Sequence, residues 1–230
     1  MNETDLVWMR NAYPGLTFGD DAITGQIEFN ARYDVAQHLF FILGSTQCQS
    51  DGITLGGAFT IRISPRLPGA ISRLPALHVE GVEVIADRHF TSSDGSACLC
   101  SMFDEDDFLV PDFQFKAYLQ ELIVPFLYGQ IFYTRYKRWP WPEYAHGATG
   151  ALEAYSSMPD GSRAHFCIES LVRFPDWPRI RTALEQEPYV KGHTPCMCSA
   201  KDQIRRCHPN ALAGMRLLKR HIQEQNISLY

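Results

Sequence analysis

Two groups of residues in this chain have the types and spacing that chemistry needs. In the first, Cys98 and Cys100 flank a single leucine, His89 stands nine residues ahead of Cys98, and a Ser93-Asp94-Gly95 turn lies between them. A thiolate is a nucleophile, so an accessible cysteine on a rigid loop can carry an acyl group as a thioester. The acidic run Asp104-Glu105-Asp106-Asp107 follows. It reads as a solvated loop that raises the Cys98 pKa; a second reading has it ease deprotonation of an attacking amine. In the other group Cys196 and Cys198 are two apart, and Cys207 runs directly into His208. Four soft or borderline ligands in C-x-C-x8-C-H spacing suit tetrahedral zinc, with bonds of ~2.3 Å to sulfur and ~2.0–2.1 Å to nitrogen. With all four positions filled, no site stays open for substrate, so the metal is expected to be structural. The plain alternative for any of these thiols is a small apolar filler, which is the reading given to Cys48 and Cys167. His146, in H-G-A-T-G, reads as a loop histidine, or as a group that tunes Cys98.

Composition limits what surrounds these groups. At 230 residues, 45% hydrophobic and 20% charged, the chain can bury one ordinary core and a small appendage. The opening M-N-E-T-D is acidic and unlike a signal peptide, and no run reaches the ~18 apolar residues of a membrane span. Seven cysteines at uneven spacing do not form a secreted disulfide framework, so a reducing cytoplasm is predicted. The net charge is −5, yet residues 191–230 hold seven Lys or Arg against Asp202 and Glu224, which is +5. A basic tail folded on an acidic body explains this; nucleic-acid binding is the less favoured reading.

The elements that must position the two groups can be read in order. Residues 4–12 form a short helix capped by Thr4, with Leu6, Val7 and Met9 or Arg10 turned inward. From Ile23 to Tyr33 apolar residues partly alternate with polar ones, as in a half-buried strand. His38 to Leu43 is a strand or a buried helix. Phe59, Ile61 and Ile63 oppose Thr60, Arg62 and Ser64, an antiparallel-strand pattern that Pro65 and Pro68 end. Leu77 and Val79 face inward on another short strand. Phe113 to Tyr136 repeats apolar residues at helical spacing, and Pro125 within it predicts a kink or two consecutive helices. Leu152–Tyr155 and Ala164–Val172 are short elements, Pro178–Glu187 a short helix, and Pro209–Ile222 a basic amphipathic helix.

Sheet, proline-broken crossing, His, Cys and long helix, in that order, resemble the catalytic segment of ubiquitin-conjugating enzymes. His89 matches the His of that family's His-Pro-Asn motif, Gly95 its turn glycine, Ala97 its small residue, and Cys98-Leu99 its Cys-Leu. Phe108 and Pro111 resemble its aromatic-x-x-Pro. Phe90-Thr91 stands where the family has Pro-Asn, so Thr91 takes the place of the loop-supporting, oxyanion-assisting Asn with a hydroxyl alone. That substitution bears on isopeptide transfer to lysine more than on thioester formation. The resemblance implies an α+β fold, a four-stranded antiparallel meander with flanking helices, over about 1–150. It makes Cys98 the nucleophile, supported by His89 and Thr91, with Cys100 as the alternative. Bacterial members without the Asn are encoded in antiphage operons of the CBASS type. The partners this implies are an activating-enzyme-like protein and a ubiquitin-like modifier or cyclic-oligonucleotide synthase.

The segment Pro195–His208 resembles the SEC-C motif, a small zinc module, with Ser199-Ala200 where that motif has Gly-Ser-Gly. The chain is thus expected to divide into a conjugating-like domain at 1–150, an extension at 151–190, and a zinc knuckle with its helix at 191–230. Two other functions stay open: an inactive scaffold of the same fold, and a zinc-dependent adaptor that binds protein or nucleic acid.

Overall fold

A computed structural model describes residues 2–44, 52–66, 68, 70–91, 93–158, 160–198, 200 and 202–229. Cys48 lies outside the described residues. Two compact units result, one of Met1–Cys100 with Asp104–Glu143, the other of Ser101–Phe103 with Tyr144–Tyr230.

The first unit is α+β. Helix α1 (Glu3–Ala12) is capped by Asn2, which forms a reciprocal capping box with Asp5, in place of the expected Thr4. Met9 is buried and Leu6 packs on the core, but Val7 is exposed, because the inward stripe of a short helix follows i, i+3 and leaves the next residue out. Strands β1 (Leu16–Gly19), β2 (Ala22–Asp34), β3 (Leu39–Ile42), β4 (Ile53–Ser64) and β5 (Ala76–Val79) form one five-stranded sheet. All pairings are antiparallel. The order β1-β2-β4-β5 is the expected four-stranded meander; β3, the ambiguous run at 38–43, is a fifth strand beside the end of β2.

Period-2 burial builds this sheet. Ile23, Ile27, Phe29, Ala31 and Tyr33 of β2 are buried, as are Ile61 and Ile63 of β4 and Leu77 and Val79 of β5. After the short helix α2 (Asp106–Leu109), a continuous helical stretch runs against them: α3 (Phe115–Ala117), a π-helical turn (Tyr118–Ile123) and α4 (Val124–Tyr136). The π turn is where Pro125 made a break expected. Proline lacks an N–H and clashes with the carbonyl four residues back, and a widened turn just before it removes both conflicts. Tyr128 Oη donates to the Ile53 carbonyl at 2.6 Å and Tyr118 Oη to that of Pro75 at 2.8 Å, tying helix to sheet. At Gly57 a Cβ would stand 2.9 Å from the Ile131 side chain, so glycine permits the close helix–sheet approach.

The second unit is helical: α5 (Gly147–Tyr155), α6 (Ala164–Leu171), α7 (Trp177–Leu184), α8 (Ile204–Cys207) and α9 (Pro209–Gln225). Leu212, Met215 and Leu218 of α9 are buried in the same apolar cluster as Leu152, Ile168, Cys167 and Ile180. Residues 151–190 and 191–230 are therefore one packed body, not an extension followed by a separate knuckle. The reason is that the apolar face of α9 is covered by α5 to α7. The boundary at Glu143/Tyr144 likewise precedes the expected 150, since α5 begins at Gly147 and buries Ala148, Ala151 and Leu152 in that cluster.

Candidate active site and metal cluster

After β5 the chain makes a 3₁₀ turn at Ala86–Arg88 and reaches His89 with φ +55, a left-handed conformation uncommon for a side-chain-bearing residue. His89 N–H bonds back to the Ala86 carbonyl at 2.7 Å. Phe90 pairs with Ala97 as an isolated antiparallel bridge, and the turn between them closes through Thr91 N–H to the Ser96 carbonyl at 2.8 Å. Gly95, at φ +69, supplies the turn's left-handed residue. Ala97 N–H then bonds the Leu77 carbonyl at 2.8 Å and Cys98 N–H bonds the His89 carbonyl at 2.7 Å. Cys98 thus sits on backbone pinned on both sides, and it is exposed to solvent.

Asp94 organises the turn. Its carboxylate accepts from Ser96 N–H at 3.0 Å, Ser96 Oγ at 2.7 Å and the Thr91 hydroxyl. Burial opposes its charge, but those bonds and Arg66 outweigh it and hold the pKa at about 2. The Thr91 hydroxyl is thereby occupied in supporting the loop. Arg66, only 11% exposed, donates from Nη1 to Ser96 Oγ at 2.8 Å and from Nε to the Leu74 carbonyl at 2.8 Å. The proline crossing after β4 is what delivers it there.

Cys98 lines a cavity of about 210 Å3 together with His89, Leu99, Glu121, Pro125, Trp139 and Trp141. The cysteine presents surface to solvent, yet protein crowds its sulfur. That desolvation raises the thiol pKa, with Arg66 opposing and Glu105 adding to the rise. Cys100 packs against the core; burial, then Glu105 and Asp104, push its pKa much further up. The acidic run is not simply solvated. Glu105 is 2% exposed and accepts from Arg73 N–H at 3.0 Å and Nε at 3.2 Å, and Asp106 takes Arg73 Nη1 at 2.7 Å. A buried carboxylate requires such a partner, so this run is an anchor for the segment after Cys98.

Glu143 is a residue that sequence reading missed. Its Oε2 lies 3.1 Å from His89 Nε2, and Trp139 meets the same imidazole edge-on at 4.5 Å between centroids. Burial, with Asp87 adding, raises the Glu143 carboxyl to about 7. Nothing local in R-W-P-W-P-E signals this partnership, which depends on the chain after α4 returning to the turn that carries His89. His146 is exposed at the N-cap of α5 and belongs to the second unit.

No protein-family model, curated protein or solved structure matches the chain.

In the second unit the predicted ligands do come together. Cys196 and Cys198 sit on a turn closed by Cys196 N–H to the Asp202 carbonyl at 2.8 Å; α8 carries Cys207, and His208 joins α8 to α9. Their four ligand atoms lie within 4.8 Å of one another. Cys196 Sγ is 3.2 Å from His208 Nδ1 and Cys198 Sγ 3.2 Å from Cys207 Sγ, far longer than the ~2.05 Å of a disulfide. Tetrahedral coordination at ~2.0–2.3 Å spaces its ligand atoms by about 3.5–3.8 Å, so this donor set can hold a metal ion after small side-chain shifts. Arg179 Nη2 donates to the Cys196 carbonyl at 3.0 Å and braces the turn. Among the described residues no helix is long and apolar enough to cross a membrane.

Proposed function

We propose that this chain is a ubiquitin-conjugating-like cysteine transferase that carries a ubiquitin-like modifier, or a target's C-terminus, as a thioester on Cys98. One observation carries the reading: a solvent-exposed Cys98, pinned by backbone bonds between sheet and helix, lines a groove beside His89. The antiparallel meander, the proline crossing and the long helix behind it support the same reading. Because the Cys98 pKa is raised, little thiolate exists at neutral pH, and the thiolate is the attacking form. The donor must therefore arrive already activated. In the exchange the donor's C–S bond breaks as a new C–S bond forms at Cys98, and the donor thiol leaves with the proton. Thiol-for-thiol exchange is nearly neutral in energy, so positioning sets the rate. An activating-enzyme-like partner fits this role, with a modifier or cyclic-oligonucleotide synthase as cargo in bacterial antiphage defence.

Zinc is the metal we assign to Cys196, Cys198, Cys207 and His208, since three thiolates and an imidazole favour it. Its part is to cross-link the turn to α8 and α9.

The test uses a synthetic peptide thioester ending in Gly-Gly as donor and intact mass as readout. Wild type should gain an adduct that excess thiol removes. Cys98→Ser should give a thiol-resistant ester or nothing, and Cys100→Ser should still charge. Charging of Cys98→Ala at the wild-type rate overturns the carrier reading and leaves the scaffold reading in its place.

A further inference from the structure

We propose that Cys198 and Cys207 form a thiol-oxidation site: hydrogen peroxide converts them to a disulfide that takes over the cross-link between the turn and α8, and the chain gives up its metal as the bond forms. The inference rests on the zinc reading of the four-donor cluster and adds a reactant and a second state of the same site.

The four donors are not equivalent. Cys196 is 1% exposed and lies in the apolar cluster of the second unit. Its N–H donates to the Asp202 carbonyl at 2.8 Å and its carbonyl accepts from Arg179 Nη2 at 3.0 Å, so its backbone is fixed as well. Cys198 and Cys207 are only half-buried, which leaves them open to a small neutral oxidant. Their sulfurs stand 3.2 Å apart, while Cys196 Sγ is 3.2 Å from His208 Nδ1. The cluster therefore consists of two pairs, one of accessible thiols and one of a buried thiol with an imidazole. A disulfide bond is ~2.05 Å long, so the Cys198 and Cys207 sulfurs must close by about 1.2 Å, which side-chain rotation supplies. A bond between Cys196 and Cys198 would instead have to close across the single residue Met197, itself buried, on a turn held by those backbone bonds. The favoured bond joins the turn to α8, the same two parts that the four donors tie together.

The chemistry balances with hydrogen peroxide as the oxidant. Cysteines that ligate a metal are already deprotonated, and the thiolate is the form that attacks. One thiolate of the pair attacks a peroxide oxygen; the O–O bond breaks, the sulfur becomes a sulfenic acid and hydroxide leaves. The other thiolate attacks that sulfur, the S–S bond forms, the S–O bond breaks and a second hydroxide leaves. Two electrons have passed from the sulfurs to the peroxide, and the two hydroxides take up protons to become water. Only Cys196 and His208 then remain as donors, too few for a structural site that needs four, so the metal is given up. A dithiol reductant reverses the bond by thiol–disulfide exchange and restores the donor set.

The test uses the full-length protein, with its metal content measured first and a chromophoric zinc indicator present. Hydrogen peroxide is added at neutral pH, samples are quenched with iodoacetamide under denaturing conditions, and tryptic peptides are mapped by mass. Trypsin cuts at Lys201, Arg205 and Arg206, between the two cysteines, so the bond should appear as peptide 192–201 joined to peptide 207–216. Fragmentation of that pair should place the alkyl label on Cys196 and the bond on Cys198. Zinc release should follow the same time course as the cross-link, and dithiothreitol with added zinc should restore both starting states. Cys198→Ser should lose the cross-link, with no Cys196–Cys207 bond in its place. Metal-loaded wild type that keeps its metal and alkylates at all three cysteines after peroxide overturns the proposal, as does a bond that includes Cys196. A chain that holds no metal before peroxide overturns the zinc reading instead, and the Cys198–Cys207 bond formed in that chain still supports the oxidation site.

Discussion

The two cysteine constellations of this protein differ in how their thiols are held. Cys98 stands exposed on a loop with its backbone pinned from both sides; His89 and Glu105 reach it from the neighbouring chain, and Arg66 from the crossing after β4. Cys196, Cys198, Cys207 and His208 converge on one another within thirteen residues of chain, with Cys196 buried. A thiol on an exposed residue beside a groove can accept a partner; four donors gathered at a common point can hold a metal ion. On this contrast rest our two proposals, transfer at the first and cross-linking at the second.

The largest test of that contrast removes a ligand. Cys207→Ala should lose the metal, which is expected at one per chain by elemental analysis. Structural zinc sites contribute ~10–16 kcal/mol in apparent binding energy, so residues 144–230 should lose hydrogen-exchange protection while strands β2 and β4 keep theirs. If Cys207→Ala retains both metal and protection, the cluster is not a cross-link.

Packing and metal can be separated in the same unit. A Cβ at Gly214 of α9 would run into the Leu152 carbonyl of α5. Gly214→Val should therefore destabilise the helical unit by about 1–3 kcal/mol in thermal or denaturant unfolding while leaving all four ligands present. An unchanged midpoint would mean that α9 is held by the metal alone.

At Cys98 the effects should be smaller, since they act on one ionisation. Glu105→Gln removes a charge that raises the thiol pKa and should speed iodoacetamide alkylation of Cys98 at pH 7.5. Arg66→Met removes the opposing charge and should slow it. Each change is expected at roughly threefold to tenfold, a pKa change of about half to one unit. Equal rates in both variants would leave desolvation as the whole cause.

The smallest expected effect is on pH stability. Asp94 titrates at about 2 in the folded chain against an ordinary 3.8, a lowered acid. Its contribution is fully present above the ordinary value and is lost as pH falls toward about 2. Because 41% of its side chain is exposed, the loss should stay under ~1 kcal/mol and register as faster exchange of the Ser96 amide. Stability of that turn rising on acidification would contradict the assignment.

What the sequence alone determined is what short-range periodicity and spacing control. Alternation along β2, β4 and β5 follows from the two-residue pleat, and Leu212, Met215 and Leu218 from the helical turn, so the strands and α9 were legible. The ligand set was legible too, because four donors close in sequence have few ways to meet. The thiol of Cys98 could be singled out by type and neighbours. Only the tertiary structure decided who faces it. Glu143 reaches His89, Arg66 reaches Asp94 and Ser96, and Glu105 is buried on Arg73, all across long stretches of chain. The same holds for the place where the units divide, which depends on α9 finding α5. Local backbone preference fixes which way a side chain points along its own element. Which residue it meets is settled by how elements pack to bury apolar surface and satisfy buried charge, and that is a property of the folded chain as a whole.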